Sequence, residues 1–215
     1  NLHSFTILDA LGSSEGTGMG KHVTSRTKKD TGTARFFLGE HTRVLAEDGE
    51  EIQPGSNKSG KLALGYPLPV GYYKDPEKTE ATFPTINGRR WSIPGDWASV
   101  EMDGSITLLG RGSECINTGG EKVFPEEVEE ALKINPLVVD CNVVGLPDER
   151  WGQAVTAVVE VKSGETLEEA ELLNDAKERL AGYKIPKSVV FVKKLKRGPN
   201  GKSDYRWARE IAQSF

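Results

Sequence analysis

The stretch Leu108–Glu129, "LLGRGSECINTGGEKVFPEEVE", is where the pattern of the chain changes. Before it, short β-type runs alternate with turn clusters. After it, helical and strand periods alternate. Pro125 suits the first helical position, where a missing N–H costs nothing, and Glu126, Glu127 and Glu129 follow near the positive end of the helix dipole. Val128, Ala131 and Leu132 recur at i, i+3 and i+4, so one stripe of this helix faces a core. Upstream, Gly110 and Gly112 bracket Arg111 and give the join the φ/ψ freedom that a hinge needs.

Toward the carboxyl end, "VVDCNVVGL" (138–146) reads as a strand and "GQAVTAVVEV" (152–161) as a second, buried one. A helix over Leu167 to Leu180 would bury Leu172, Leu173, Ala176 and Leu180. "SVVFV" is a third strand, and Asp204 is the cap of a last helix running from Tyr205 to about Gln213. This alternation predicts a compact α+β domain. Toward the amino end, "NLHSFTILDALGSSEG" is a strand-like run. From about Thr33 to Thr107, turns at Asp48-Gly49, Pro54-Gly55 and Asp103-Gly104 punctuate short strands, which suggests a small β-barrel-like subdomain. One short helix is expected over Asp75 to Ala81, with Pro76 at its first position. The class is therefore α+β, divided into residues 1–110, a hinge at 111–113, and residues 114–215.

With 28% charged and 36% apolar residues over 215 positions, the chain has the composition of an ordinary globular protein. A net charge of −4 argues against a general grip on nucleic acid, although Lys193, Lys194, Lys196 and Arg197 form a local basic patch. Cys115 and Cys141 are too few for a disulfide framework and have no metal-ligand spacing, which points to a reducing, cytoplasmic setting. Cys141 lies in an apolar run and reads as core. His3, His22 and His41 are scattered, so neither a zinc site nor a Ser-His-Asp triad is expected. No apolar run approaches the ~20 residues of a membrane span. Peripheral contact with a membrane stays open.

Four stretches place polar groups in glycine-rich settings. In "DALGSSEGTGMG" (9–20), Glu15 beside Ser13 and Ser14 suits Mg²⁺ and phosphate oxygens, or is a solvated surface carboxylate. In "SIPGDWA" (92–98), Asp96 either caps a turn or accepts from a ribose diol. Arg111 either pairs with a carboxylate or meets a ligand, and Gly119-Gly120 forms a tight loop before the helix. In "KRGPNGKSDYRW" (196–207), Lys202 reads alone as an exposed turn lysine. It is no phosphate-loop lysine, because Lys196 stands where that motif needs glycine; in "GTGMGKH" Glu15 stands there.

Taken in order, these stretches resemble the adenylate-forming superfamily of acyl-CoA synthetases, luciferases and peptide-synthetase adenylation domains. That family runs a "YGxTE"-like segment, then "TGD" (here "PGD", with Pro94 for Thr), then "GRxxxxIxxGGxxVxPxEVE", then a late "GK" lysine. "VVGLPDERWGQAVTAVV" and "AGYKIPKSVVFV" extend the likeness to essentially the whole chain. The wording is most similar to actinobacterial acyl-CoA synthetases of fatty-acid and steroid side-chain degradation.

The resemblance implies activation of a carboxylic acid, fatty or steroid-derived, by Mg-ATP to an acyl-adenylate, followed by transfer to coenzyme A. It implies Glu15 as the Mg²⁺ ligand, Ser14 (in place of Thr) on phosphate, Asp9 on adenine, Asp96 on ribose and Arg111 on the nucleotide. Gly119 and Gly120 would line the pantetheine path, and Lys202 would meet the α-phosphate and the substrate carboxylate. Leu11 departs from the family's aromatic stacking residue, and Ser113 from its usual Asp or Lys hinge. The family's phosphate loop and acyl pocket lie upstream of the "YGxTE" segment and have no counterpart here. The expectation is thus a carboxyl-terminal portion that activates no acid alone. The alternatives are a fatty acyl-AMP ligase, an adenylation domain serving a carrier protein, and a non-catalytic binding module.

Overall fold

The computed structural model describes residues 6–25 and 35–215; His3, residues 1–5 of the opening run and the Thr33 onset lie outside the described residues. The chain divides into two units, Asn1–Arg111 and Gly112–Phe215.

The first unit contains strands β1 (Thr6–Ser13), β2 (Gly16–Ser25), β3 (Arg35–Leu38), β4 (Thr42–Leu45) and β5 (Ser59–Leu64), then helix α1 (Pro76–Thr82). The two-residue strands β6 (Thr85–Ile86) and β7 (Arg89–Arg90) follow, and then β8 (Asp96–Val100) and β9 (Ser105–Arg111). Seven of these strands form one antiparallel sheet in the order β1-β2-β3-β9-β8-β5-β4. β1 and β4 end it, so the strand-rich subdomain is an open sheet and not a closed barrel. Met19, Val44, Leu62, Leu64, Ala98 and Ile106 form its core. Gly16 is required by this packing, since a Cβ there would stand 2.6 Å from Leu64 Cδ2. Helix α1 begins as expected: the Asp75 side chain accepts from Lys78 N, and Pro76 takes the first position.

The second unit contains β10 (Ile116–Thr118), β11 (Glu121–Val123), α2 (Pro125–Lys133), β12 (Val138–Asp148) and β13 (Gly152–Val161). It continues with α3 (Glu169–Lys177), β14 (Ser188–Val192) and α4 (Tyr205–Gln213). β12 and β13 pair antiparallel along nearly their full length, and β14 adds to β13 in parallel. Both faces of the central part of this sheet are dry. Cys141, Val143, Ala157 and Val159 point into a core shared with Val128 and Leu132 of α2 and Leu172 and Ala176 of α3. Val144, Val158 and Val190 point the other way, against Ala208 and Ala212 of α4. The near-continuous apolar reading of these strands follows from this double burial. Asp204 caps α4 by accepting from Trp207 N.

Glu129 sits inside this unit at 5% exposure. Its Oε1 accepts from Val143 N at 2.9 Å and its Oε2 from the Tyr205 hydroxyl at 3.4 Å, so one carboxylate ties α2 to β12 and α4. Burial, opposed by the Val143 hydrogen bond, pushes its pKa from 4.5 up to about 7. Glu126, Lys133, Cys141, Tyr205 and Arg197 are the ionisable groups that interact with it. A carboxyl raised in this way holds a proton in the folded state that the unfolded chain has lost. Its contribution is therefore most favourable at low pH and declines as pH rises through 4.5 to about 7. Glu129→Gln keeps an acceptor for Val143 and removes the titration. The difference in urea stability between variant and parent should then grow as pH rises from 5 to 7.5, to a gain of the variant on the order of 1–3 kcal/mol at the upper end. An unchanged pH slope would contradict this account.

Candidate functional site

Glu15 stands at the tip of the β1–β2 hairpin. Ser13 pairs with Gly16, leaving Ser14 and Glu15 as a two-residue turn, and a register shift between Leu11 and Ser13 accompanies it. The tip is pinned on both sides. Ser13 Oγ accepts from Glu15 N at 3.2 Å, and Ser92 Oγ donates to the Glu15 carbonyl at 2.9 Å. The Tyr72 hydroxyl donates to Glu15 Oε1 at 2.7 Å, and this bond is the largest influence holding the Glu15 pKa below its ordinary value. Tyr72 is itself fixed: its backbone N donates to Thr79 Oγ1 at 2.9 Å, its ring packs on Phe83, and Lys78 Nζ lies 4.1 Å over it.

Asp96 opens β8, just after Gly95 with φ +106°, and Arg111 closes β9 directly opposite it. Their side chains meet, Arg111 Nε to Asp96 Oδ1, at 3.3 Å. Asp96 is largely covered while Arg111 reaches solvent. Arg111 also lowers the Glu15 pKa through space, so Glu15, Asp96 and Arg111 act on one region of the sheet end. Ser14 is exposed at the tip. Asp9 is not gathered with them; it lies exposed on β1 opposite His22, four residues before Ser13, or about 13 Å along the strand. Leu11 packs against the sheet core. Among the described residues no cluster of three His, Cys, Asp or Glu side chains could hold a metal alone. A single outward carboxylate fits a hard cation that takes its other oxygens from water and phosphate, which is the usual habit of Mg²⁺.

In the second unit, Gly119 and Gly120 form the turn between β10 and β11, with φ of +59° and +87°. A Cβ on Gly119 would stand 2.9 Å from Trp151 Cε3, whereas Gly120 faces open space. Lys202 is exposed on a tight loop. Gly198 N donates to Lys202 O at 2.8 Å, Gly201 N to Gly198 O at 2.9 Å, and Lys202 N to Asn200 Oδ1 at 3.1 Å. Gly201, at φ +77°, makes this closure possible.

Two supporting residues lie outside the family motifs, one in each unit: Tyr72, which holds Glu15, and Arg197, whose guanidinium contacts the residue on each side of Lys202. "VGYY" and "KRG" carry no local pattern that would have flagged them. Ser113 lies in a single 3-10 turn, Gly112–Glu114. Glu114 in that turn pairs with Arg209 of α4 at 3.0 Å.

Residues 127–202 match the AMP-binding enzyme C-terminal domain. Over 95% of its length the chain is 52% identical to a 3-oxocholest-4-en-26-oate–CoA ligase of Rhodococcus rhodochrous, of which the match covers 37%. It is also 52% identical, over 99% of its length, to a medium/long-chain-fatty-acid–CoA/3-oxocholest-4-en-26-oate–CoA ligase of Mycobacterium tuberculosis, covering 39% of that protein. The chain thus spans less than two-fifths of these curated relatives. ATP-bound MatB from Rhodopseudomonas palustris superposes with a TM-score of 0.78 at 31% identity, over 95% of this chain and 40% of that one.

Replacing Tyr72 by Phe should raise the Glu15 pKa toward its ordinary value of 4.5, because the principal stabiliser of the carboxylate is gone. Carboxyl-detected NMR titration of Glu15 measures this directly; an unmoved titration curve would show that Tyr72 does not set its charge.

Proposed function

The chain belongs to the adenylate-forming enzymes, as a carboxyl-terminal part of them, and we propose that the full-length protein is an ATP-dependent acyl-CoA synthetase. The observation that carries this reading is 52% identity, over nearly the whole chain, to relatives named as CoA ligases of fatty and steroid acids. In the first half-reaction a substrate carboxylate oxygen attacks the α-phosphorus of ATP. The bond to the bridging oxygen of the β-phosphate breaks, and acyl-adenylate and pyrophosphate result. In the second, the sulfur of coenzyme A attacks the acyl carbon, and AMP leaves. The acid is a fatty acid or a steroid bearing a side-chain carboxyl group. A cytoplasmic protein that touches membranes peripherally would meet such acids where they partition.

The residues take the following parts. Glu15, presented outward and kept ionised by Tyr72, holds Mg²⁺ together with ATP oxygens, and Ser14 donates to phosphate. The cation supplies charge neutralisation on the phosphates. Asp96 accepts from the ribose hydroxyls, with Arg111 beside it. Asp9, up the hairpin from the tip, is set back from the phosphate end and meets the adenine. The Leu11 side chain packs on the sheet core, so base stacking falls to another group. Residues 111–113 form the hinge. Gly119 and Gly120 keep side chains off the path of the pantetheine arm. Lys202 places its ammonium charge where negative charge develops on the transferring phosphate, an electrostatic role without covalent chemistry.

ATP–pyrophosphate exchange by the full-length protein with Lys202→Ala tests this reading. Loss of one such group should lower exchange by roughly 10²–10³-fold. Thioester formation from preformed acyl-adenylate and coenzyme A should continue. Exchange at the parent rate would overturn the role of Lys202.

A further inference from the structure

Building on the reading of Lys202 as the adenylation lysine, we propose that Arg197 is the positioning residue for its loop, locking that loop onto β12 through Asp140. The guanidinium is used on every side. Nε donates to Asp140 Oδ2 at 2.8 Å and Nη2 to Asp140 Oδ1 at 2.5 Å, a fork on a fork. Nη1 turns the other way and donates to Ser203 Oγ at 3.2 Å and to the Gly201 carbonyl at 3.4 Å. Arg197 and Ser203 are also joined as an isolated antiparallel bridge. The same side chain therefore closes the loop base and touches the residue on each side of Lys202.

Asp140 is a fixed anchor. It lies at a register shift in β12, where the ladder with β13 is offset between Val138 and Asp140. Such an offset re-aims a side chain out of the regular alternation. Its neighbours Cys141, Asn142 and Val143 are buried in the sheet. Cys141 N donates to Asp140 Oδ1 at 3.0 Å, so the carboxylate is oriented by backbone before Arg197 arrives.

An isolated surface ion pair contributes little, because two long side chains lose freedom for a screened attraction. A bidentate arginine with two further acceptors differs: its rigid planar fork fixes direction as well as distance. The loop needs such a constraint, since its tip bonds are all internal to residues 198–202 and Lys202 itself is exposed. Without the clamp the turn would keep its shape but lose its bearing relative to β12. Lysine has one donor centre and cannot reach both carboxylate oxygens and the loop together, so charge alone does not substitute.

The test compares both half-reactions in the full-length protein carrying Arg197→Ala, Arg197→Lys or Asp140→Asn, with Lys202→Ala alongside. A lysine swung off its bearing should cost about 10–100-fold in kcat for ATP–pyrophosphate exchange. KM for ATP should stay within about 2-fold, because the nucleotide-binding groups are untouched. Thioester formation from preformed acyl-adenylate should stay near the parent rate. Arg197→Lys should fail to rescue. Hydrogen exchange of the 198–203 amides in this chain should rise in Arg197→Ala while the β12–β13 amides stay protected. If Arg197→Ala unfolds, Asp140→Asn supplies the same comparison at nearly constant volume. Normal adenylation in the Arg197 variants, beside a crippled Lys202→Ala, would overturn the clamp and leave the lysine reading intact. Equal loss in both half-reactions, or full rescue by Arg197→Lys, would also overturn it. Normal adenylation by Lys202→Ala would refute the lysine reading itself.

Discussion

The second unit depends on the antiparallel pairing of β12 with β13. Val143 and Val144 are adjacent and point to opposite faces, yet both are at most 1% exposed, as are Val158 and Val159 on the partner strand. A ladder dry on both sides must be covered by helices, so α2 and α3 take one face and α4 the other. Every functional candidate in this unit is set by that ladder. The Gly119-Gly120 turn reaches β13 through the Thr118–Gly152 pair, and the Lys202 loop reaches β12 through Arg197 and Asp140. Glu129 is the one carboxylate buried in this unit, and it is bonded to the β12 backbone.

The first unit solves a related problem at its sheet end. A hairpin tip is a poor place to hold a carboxylate unless something outside the hairpin restrains it. Here Ser92 takes the backbone of Glu15 and Tyr72 takes its side chain. Tyr72 stands just before the cap of α1, and Ser92 stands on the segment leading into Asp96. The same contacts that fix Glu15 therefore tie it to the neighbourhood of the Asp96–Arg111 pair. Such preorganisation favours binding, because a charged group that must first be gathered loses part of its binding energy to ordering.

Much of this was legible in the residues alone. β13 and β14 fall on the runs that the apolar pattern marks, β12 runs two residues longer, and α2 and α4 start where Pro125 and Asp204 announce them. The helix expected over Leu167–Leu180 is shorter, Glu169–Lys177, and Leu180 is buried outside it. β2 was not legible, since Gly16, Gly18 and Gly20 read as loop; the Leu64 side chain beneath Gly16 and the positive φ of Gly18 explain glycine in a strand there. β10 and β11 are three residues each and too short for periodicity to register. Among candidate site residues, those inside motifs stood out, while Tyr72 did not and Arg197 registered only as one charge of a basic patch. Each meets its carboxylate partner across 57 positions of chain, beyond the reach of any spacing rule.

The proposed activity of the full-length protein is thioester formation by way of an acyl-adenylate. Product analysis by mass spectrometry, with the full-length protein, Mg-ATP, a steroid side-chain acid or a long-chain fatty acid, and coenzyme A, tests it most directly. The account predicts acyl-CoA, AMP and pyrophosphate, with acyl-adenylate in place of acyl-CoA when coenzyme A is left out. Acyl-adenylate that persists in the presence of coenzyme A, or ATP cleaved to ADP and phosphate, would contradict it.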